Sequence, residues 1–340
     1  MIPDPPPGRR PLLLAPALLL LAACAPEPDV RLYCALDTEF AEPLIREFER
    51  RTGLVVEAQF DVEAHKTVGL VNIIREESHR TRCDVFWNNE IAHTISLAND
   101  GLLAAYDSPS ASDIPAQYRD PERRWTGFAA RARVFIVNTE LADPAEITGM
   151  WDLVDPRWKG RCGMARPLTG TTLTHATALF TVLGEEKALA YLNAVKAGGV
   201  SLTSGNATLM RLVAEGALAW GWTDTDDFHV ALSNGRPVAA VFPDAGQEGL
   251  GTLFIPNTVC ILKDAPHPAA ARQLVDYVLS AEVERALALS RSAQIPLHAS
   301  LRDMQHPLPL ERMKPMQVDY SRVGAEIGAR HDQLAKMFLD

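Results

Sequence analysis

The sequence predicts an α/β protein of two lobes, each built on a doubly wound, mostly parallel sheet, with a hinge between them. Three observations predict it. Short apolar runs alternate with amphipathic helical periods from residue 31 to residue 289. The rhythm breaks over 103–125, where Pro109, Pro115 and Pro121 fall, and then restarts. A length of 340 residues also exceeds the ~100–200 residues that one domain usually takes up. The chain is 47% hydrophobic and 22% charged, which excludes disorder for most of it. With 33 Lys+Arg against 43 Asp+Glu, and no basic run beyond Arg50-Arg51 or Arg123-Arg124, it lacks the charge of a nucleic-acid binder.

The elements follow in order. Residues 31–36 form an apolar strand, and Phe40, Leu44 and Phe48 then mark a helix that closes at Thr52-Gly53. Pro43 is placed in or near its first turn, where a missing N–H is tolerated. A second strand covers 54–60, a helix 66–77, and a third strand 84–87. A helix through Ile91, Ile95 and Leu97 then stops near Gly101. After the irregular stretch, 134–138 is a strand, 162–165 a strand, and 171–183 and 185–196 are helices. Strands at 200–202, 218–222 and 238–242 alternate with helices at 209–213 and 228–232. A long strand over 254–262 precedes helices at 269–279 and 281–289. Segments 126–138 and 250–262 join the lobes. Residues 31–128 plus 259–312 are assigned to lobe 1, and 129–258 plus 313–340 to lobe 2.

The first 23 residues are a targeting segment. Arg9-Arg10 precede an apolar run over 12–23, too short to cross the ~30 Å of a bilayer core. The run ends in Leu21-Ala22-Ala23-Cys24, which resembles the lipobox of bacterial lipoproteins. That resemblance implies acylation of Cys24 and a periplasmic or cell-surface protein held at the membrane by lipid alone. Residues 24–30, polar and Pro-rich, form a tether. Cys34, Cys83, Cys162 and Cys260 remain, in a compartment that permits disulfides. The sequence leaves none, one or two bridges open, and the absence of Cys-x-x-Cys argues against a thiolate zinc site.

A series of short motifs carries a family likeness: Tyr33-Cys34-Ala35-Leu36-Asp37, Asp84-Val85-Phe86-Trp87-Asn88-Asn89-Glu90 and Trp125-Thr126-Gly127-Phe128-Ala129-Ala130-Arg131. Asp155-Pro156-Arg157-Trp158-Lys159-Gly160 and Gly170-Thr171-Thr172 continue it. Over about residues 31–300 the chain resembles the periplasmic solute-binding proteins of ABC importers, in the branch of ferric-ion-binding proteins. The resemblance implies a type II periplasmic-binding-protein fold whose lobes close over a ligand. It also implies a monomer, an ABC permease and ATPase as partners, and iron transport as the function. The metal would then be cargo, with no catalytic cofactor.

Ligands of doubly wound sheets sit beyond the carboxyl ends of strands, and reading those ends gives the candidate site. Asp37 ends the first strand, and Trp87, Asn89 and Glu90 end the third. Gly170, Thr171 and Thr172 open a helix, whose free N–H groups and dipole suit an anion or serve simple capping. Thr223, Asp224, Thr225, Asp226 and Asp227 place three carboxylates directly after an apolar strand. Asp37, Glu90, Asp224 and Asp226 are the proposed metal ligands, since converging carboxylates call for iron or another hard cation, or an amine. Arg131 and Arg133 follow the hinge, and one of them suits an anion or makes a surface ion pair. Trp87, Trp125 and Trp222 stack on an organic ligand or pack in the core, while His65, His175 and His229 read as structural. The chain departs from the ferric pattern: Thr225 and Asp226 stand where its adjacent tyrosines would be, Asp37 where its histidine would be, and Glu90 or Asn89 at its carboxylate. A small organic cation or zwitterion, aminophosphonate-like, fits an acidic loop facing an anion site equally well. A metal-dependent hydrolase built on the Asp-rich loop with His229 is the enzymatic rival, but Gly-x-Ser-x-Gly, His-Glu-x-x-His and Walker motifs are absent and no catalytic residue is assigned.

Overall fold

A computed structural model gives the fold. It describes residues 1, 27–61, 67–246 and 248–339. Residues 2–23 of the expected targeting segment, Cys24, His65 and Lys66 lie outside the described residues. Three βα units open the chain: β1 (Val30–Cys34), α1 (Thr38–Thr52), β2 (Val56–Phe60), α2 (Val68–Glu76), β3 (Val85–Asn88) and α3 (Ala92–Asn99). Gly53 closes α1 in the left-handed region at φ 75°, where its N–H donates to the Glu49 carbonyl. Pro43 lies deeper in α1 than expected, because the helix already begins at Thr38. Its ring takes away the bond its amide would have made to the Glu39 carbonyl and crowds that carbonyl.

The rest of the chain adds β4 (Leu103–Ala104), β5 (Thr126–Asn138), β6 (Cys162–Ala165), α4 (Gly170–Leu183), α5 (Glu185–Ala197), β7 (Ser201–Thr203) and α6 (Asn206–Ala214). Then come β8 (Trp220–Asp224), α7 (Thr225–Ser233), β9 (Val238–Val241), β10 (Phe254–Leu262), α8 (Pro268–Val278), α9 (Ala281–Leu289) and α10 (Tyr320–Leu339). One sheet path runs β2-β1-β3-β10-β5-β8-β6-β7, with β4 on β10 and β9 on β5. Parallel groups stand at its two ends, β2-β1-β3 and β8-β6-β7. Antiparallel β10 and β5 join them. All 13 residues of β5 are buried, so its apolar side chains hold both groups together at ~1.5–3 kcal/mol per large side chain buried.

The register of β5 on β10 slips once. Ala130 faces Pro256 and Phe128 faces Asn257, which leaves Ala129 as the extra residue of a bulge. Ala129 adopts φ 41°, a strained setting for a residue with a Cβ. Its amide donates to the buried Glu284 carboxylate at 2.5 Å, and its carbonyl accepts from the Asn257 side chain.

Helix α10 escapes the sequence reading altogether. It lies across α3 and α4, burying Val323, Ile327, Leu334 and Phe338. Gly324 permits the approach, since a Cβ there would stand 2.4 Å from the Ile95 Cβ and 3.0 Å from the Ala92 carbonyl oxygen. Gly324→Val is therefore expected to destabilise the protein by about 1–3 kcal/mol, read as a lower urea midpoint. A midpoint equal to the parent's would mean that α10 does not seat as described. The four cysteines Cys34, Cys83, Cys162 and Cys260 are buried free thiols.

Candidate functional site

The strand ends converge on a cavity of about 50 Å³. Asp37, at the N-cap of α1, enters from one parallel group, and its carboxylate does not cap its own helix. Asn89 lies beside it, accepting from the Thr67 hydroxyl at 2.5 Å. The other wall is residues 169–172 at the start of α4, Asn206 at the start of α6, and Asp224, Asp226 and Asp227. Thr169 makes no side-chain cap, so the first amides of α4 face the cavity without an intrahelical acceptor. Arg131 of β5 completes the lining.

The Asp-rich stretch is not a loop. Thr223 and Asp224 continue β8 because they pair with Val134 and Arg133 of β5, and Thr225 starts α7 directly. That register sets Asp224 against Arg133 at 2.8 Å, with both side chains almost wholly buried. Asp224 also accepts from the Thr171 hydroxyl at 2.5 Å and from the Asn206 amide at 3.0 Å. Burial pushes its carboxyl upward, but Arg133, Arg131 and the Thr171 hydroxyl together draw it below the usual range. Asp224 is thus an engaged anion whose charge Arg133 already balances. Thr171 and Thr172 are engaged likewise, Thr172 donating to Asn206 at 3.1 Å.

Asp226 and Asp227 stand close by, and one carboxylate oxygen from each of Asp224, Asp226 and Asp227 falls within 4.8 Å of the others. Asp227 accepts from the Thr223 hydroxyl at 2.7 Å. Asp226 lies 3.5 Å from Arg131 Nη1. Arg131 is 3% exposed, and its Nε and Nη2 have no hydrogen-bond partner. Burial disfavours its charge, yet Asp226, Asp224, Asp37 and Asp227 together raise its pKa. A buried guanidinium ringed by carboxylates, with two donors still unused, calls for an anionic group beside the carboxylates' own partner.

Four predicted residues, Trp87, Glu90, Thr223 and Thr225, do not line the cavity. Glu90 is wholly buried and absent from the cavity lining; it accepts from Asn88, the Ala92 and His93 amides, the His93 ring and Thr174. Those contacts leave no room for a metal. Trp87 packs on Phe128, ring centroids 5.5 Å apart, inside the core. Thr225 accepts from the Ala132 amide at 3.1 Å. Trp222 packs on Phe135 and on His175. Burial and Arg133 hold His175 well below its usual pKa, and hence neutral. His229 meets the Arg291 carbonyl. The reading missed Asn206, although the same strand-end rule applied to β7 would have found it. It also gave Arg133 no fixed role, because only the strand register reveals its partner.

A family profile described as bacterial extracellular solute-binding protein matches residues 95–320. The chain is 25% identical to iron uptake protein A1 of Synechocystis over 83% of its length and 84% of that protein. It is 24% identical to the major ferric iron-binding protein of Neisseria meningitidis over 90% and 93%. In structure it resembles iron-bound HitA from Pseudomonas aeruginosa at a TM-score of 0.79 and 24% identity, covering 90% of this chain and 98% of that one. AfuA from Actinobacillus pleuropneumoniae, with fructose-6-phosphate bound, matches at 0.79 and 22% identity over 90% and 97%. Among the described residues no helix is long and apolar enough to cross a membrane. With a matching profile across about two thirds of its length and a strand-end site on a two-group α/β sheet, this chain belongs to the bacterial extracellular solute-binding protein family.

Proposed function

We propose that the protein is the capture subunit of an ABC importer for ferric iron, held together with a small oxyanion and tethered to the membrane by a lipid on Cys24. The observation that carries this reading is the cavity of about 50 Å³ in which Asp37, Asp226 and Asp227 surround Arg131. Hard carboxylate oxygens match a small, highly charged cation. The unused Arg131 donors and the α4 N-terminus match an oxyanion. The volume suits an ion and a compact anion, and the names of the curated relatives support iron. The lobes assigned from sequence, 31–128 plus 259–312 and 129–258 plus 313–340, would close by rotation at β5 and β10. A second reading, a small zwitterion, draws on the same Arg131 fork, with its anionic end there and its amine among the carboxylates.

Elemental analysis after incubation with ferric citrate tests the two. One iron per chain is expected, with a rise in stability of about 2.7 kcal/mol at a hundredfold excess over Kd. Among the described residues no tyrosine lines the cavity, so the iron-loaded protein should lack a visible phenolate-to-iron charge-transfer band. Absence of iron uptake, with a stoichiometric organic mass in native spectrometry, would establish the zwitterion instead.

A further inference from the structure

We propose that Glu90, which cannot reach the cargo, is the positioning residue that ties the two walls of the cavity together through Thr174; the inference rests on the proposed capture function. Glu90 lies on the turn from β3 into α3, beside the lining residue Asn89. Asn88, the Ala92 amide, and the amide and ring of His93 all donate to it from its own neighbourhood, at 2.6–3.0 Å. Thr174 is different. It belongs to α4, 84 residues along the chain and on the opposite parallel group, and its hydroxyl reaches Glu90 at 2.7 Å. Thr174 sits one turn beyond the lining residues Gly170 and Thr171, so this charge-assisted bond spans the walls beside the cavity.

The bond is built to break without penalty. If the walls part, Glu90 keeps its local donors, and Thr174 has a second acceptor in the Gly170 carbonyl of its own helix, already at 3.3 Å. Neither group is orphaned, unlike the partners of a buried ion pair. Such a contact favours the closed arrangement and costs the open one nothing, so it sets how firmly cargo is retained.

Thr174→Val keeps the side-chain shape and removes the hydroxyl, and Thr174→Ser restores it. Small-angle scattering of the unloaded proteins should give a larger radius for Thr174→Val and the parental radius for Thr174→Ser, a comparison that needs no cargo. In protein loaded with ferric citrate, release to excess EDTA should be roughly tenfold faster for Thr174→Val, and the melting midpoint should fall further for the loaded protein than for the empty one. A radius and release rate equal to the parent's, with empty and loaded protein destabilised alike, would make the bond a fixed structural contact and overturn the proposal. If the parent takes up no iron, the cargo reading fails while the radius comparison still decides the latch.

Discussion

Asp224→Asn is expected to cost about 3–5 kcal/mol of folding stability at neutral pH, because it strands the Arg133 charge in the interior. The aspartate ties β8 to β5, the start of α4 and the start of α6 at once. Its loss therefore loosens three elements that line the cavity. Arg133→Met alone should cost a similar amount, and the double variant should recover much of the loss, since a pair of apolar or neutral groups leaves no charge unpaired. Urea unfolding of the four proteins measures the coupling. The sign with pH follows from the depressed folded-state pKa of Asp224. Its contribution is fully present above the ordinary value of 3.8 and is lost as pH falls below that value through the lower folded one. A parent and an Asp224→Asn variant of equal stability at pH 7 would show that the ion pair contributes nothing.

Asp37→Asn isolates binding from folding. Asn matches Asp in size and caps a helix as well as Asp does, so the empty protein should keep its melting midpoint. Removing one anionic oxygen donor from the cavity should weaken ferric uptake by on the order of a hundredfold, at least the effect of losing an outer-sphere partner. A titration that competes ferric iron between protein and citrate reads the change directly. Parental affinity in Asp37→Asn would remove Asp37 from the site and leave Asp226 and Asp227 as the cation ligands.

The repeating βα rhythm was legible because apolar runs of strand length and helical periods of three to four residues are local properties. The long strand at Phe254–Leu262 and the helix at Ala281–Leu289 were read at their observed limits. Strand ends were legible too, which is why Asp37, Asn89 and residues 170–172 fall in one lining. Register was not. Whether Asp224 faces solvent or Arg133 depends on how β8 aligns with a strand 91 residues earlier, and local composition carries no trace of that. Glu90 misled for a related reason: a carboxylate after a strand is equally suited to ligating a cation and to gathering amides at a helix start. Helix α10 was missed because Gly324 sits on its buried face, and only the close approach to Ile95 explains that glycine.

The position of β10 in the sheet has a consequence for the order in which the chain acquires structure. This strand lies between β3 and β5, yet it is synthesised more than a hundred residues after either of them. Until residues 254–262 emerge, β3 and β5 each carry an open edge where their future neighbour belongs. The first three βα units can gather locally, but the sheet cannot join across its centre until three quarters of the polypeptide exists. Loop-closure entropy over that separation makes the joining step slow. A chain released at residue 250 would therefore present two unsatisfied strand edges to its neighbours, and its fate would be association and not rest.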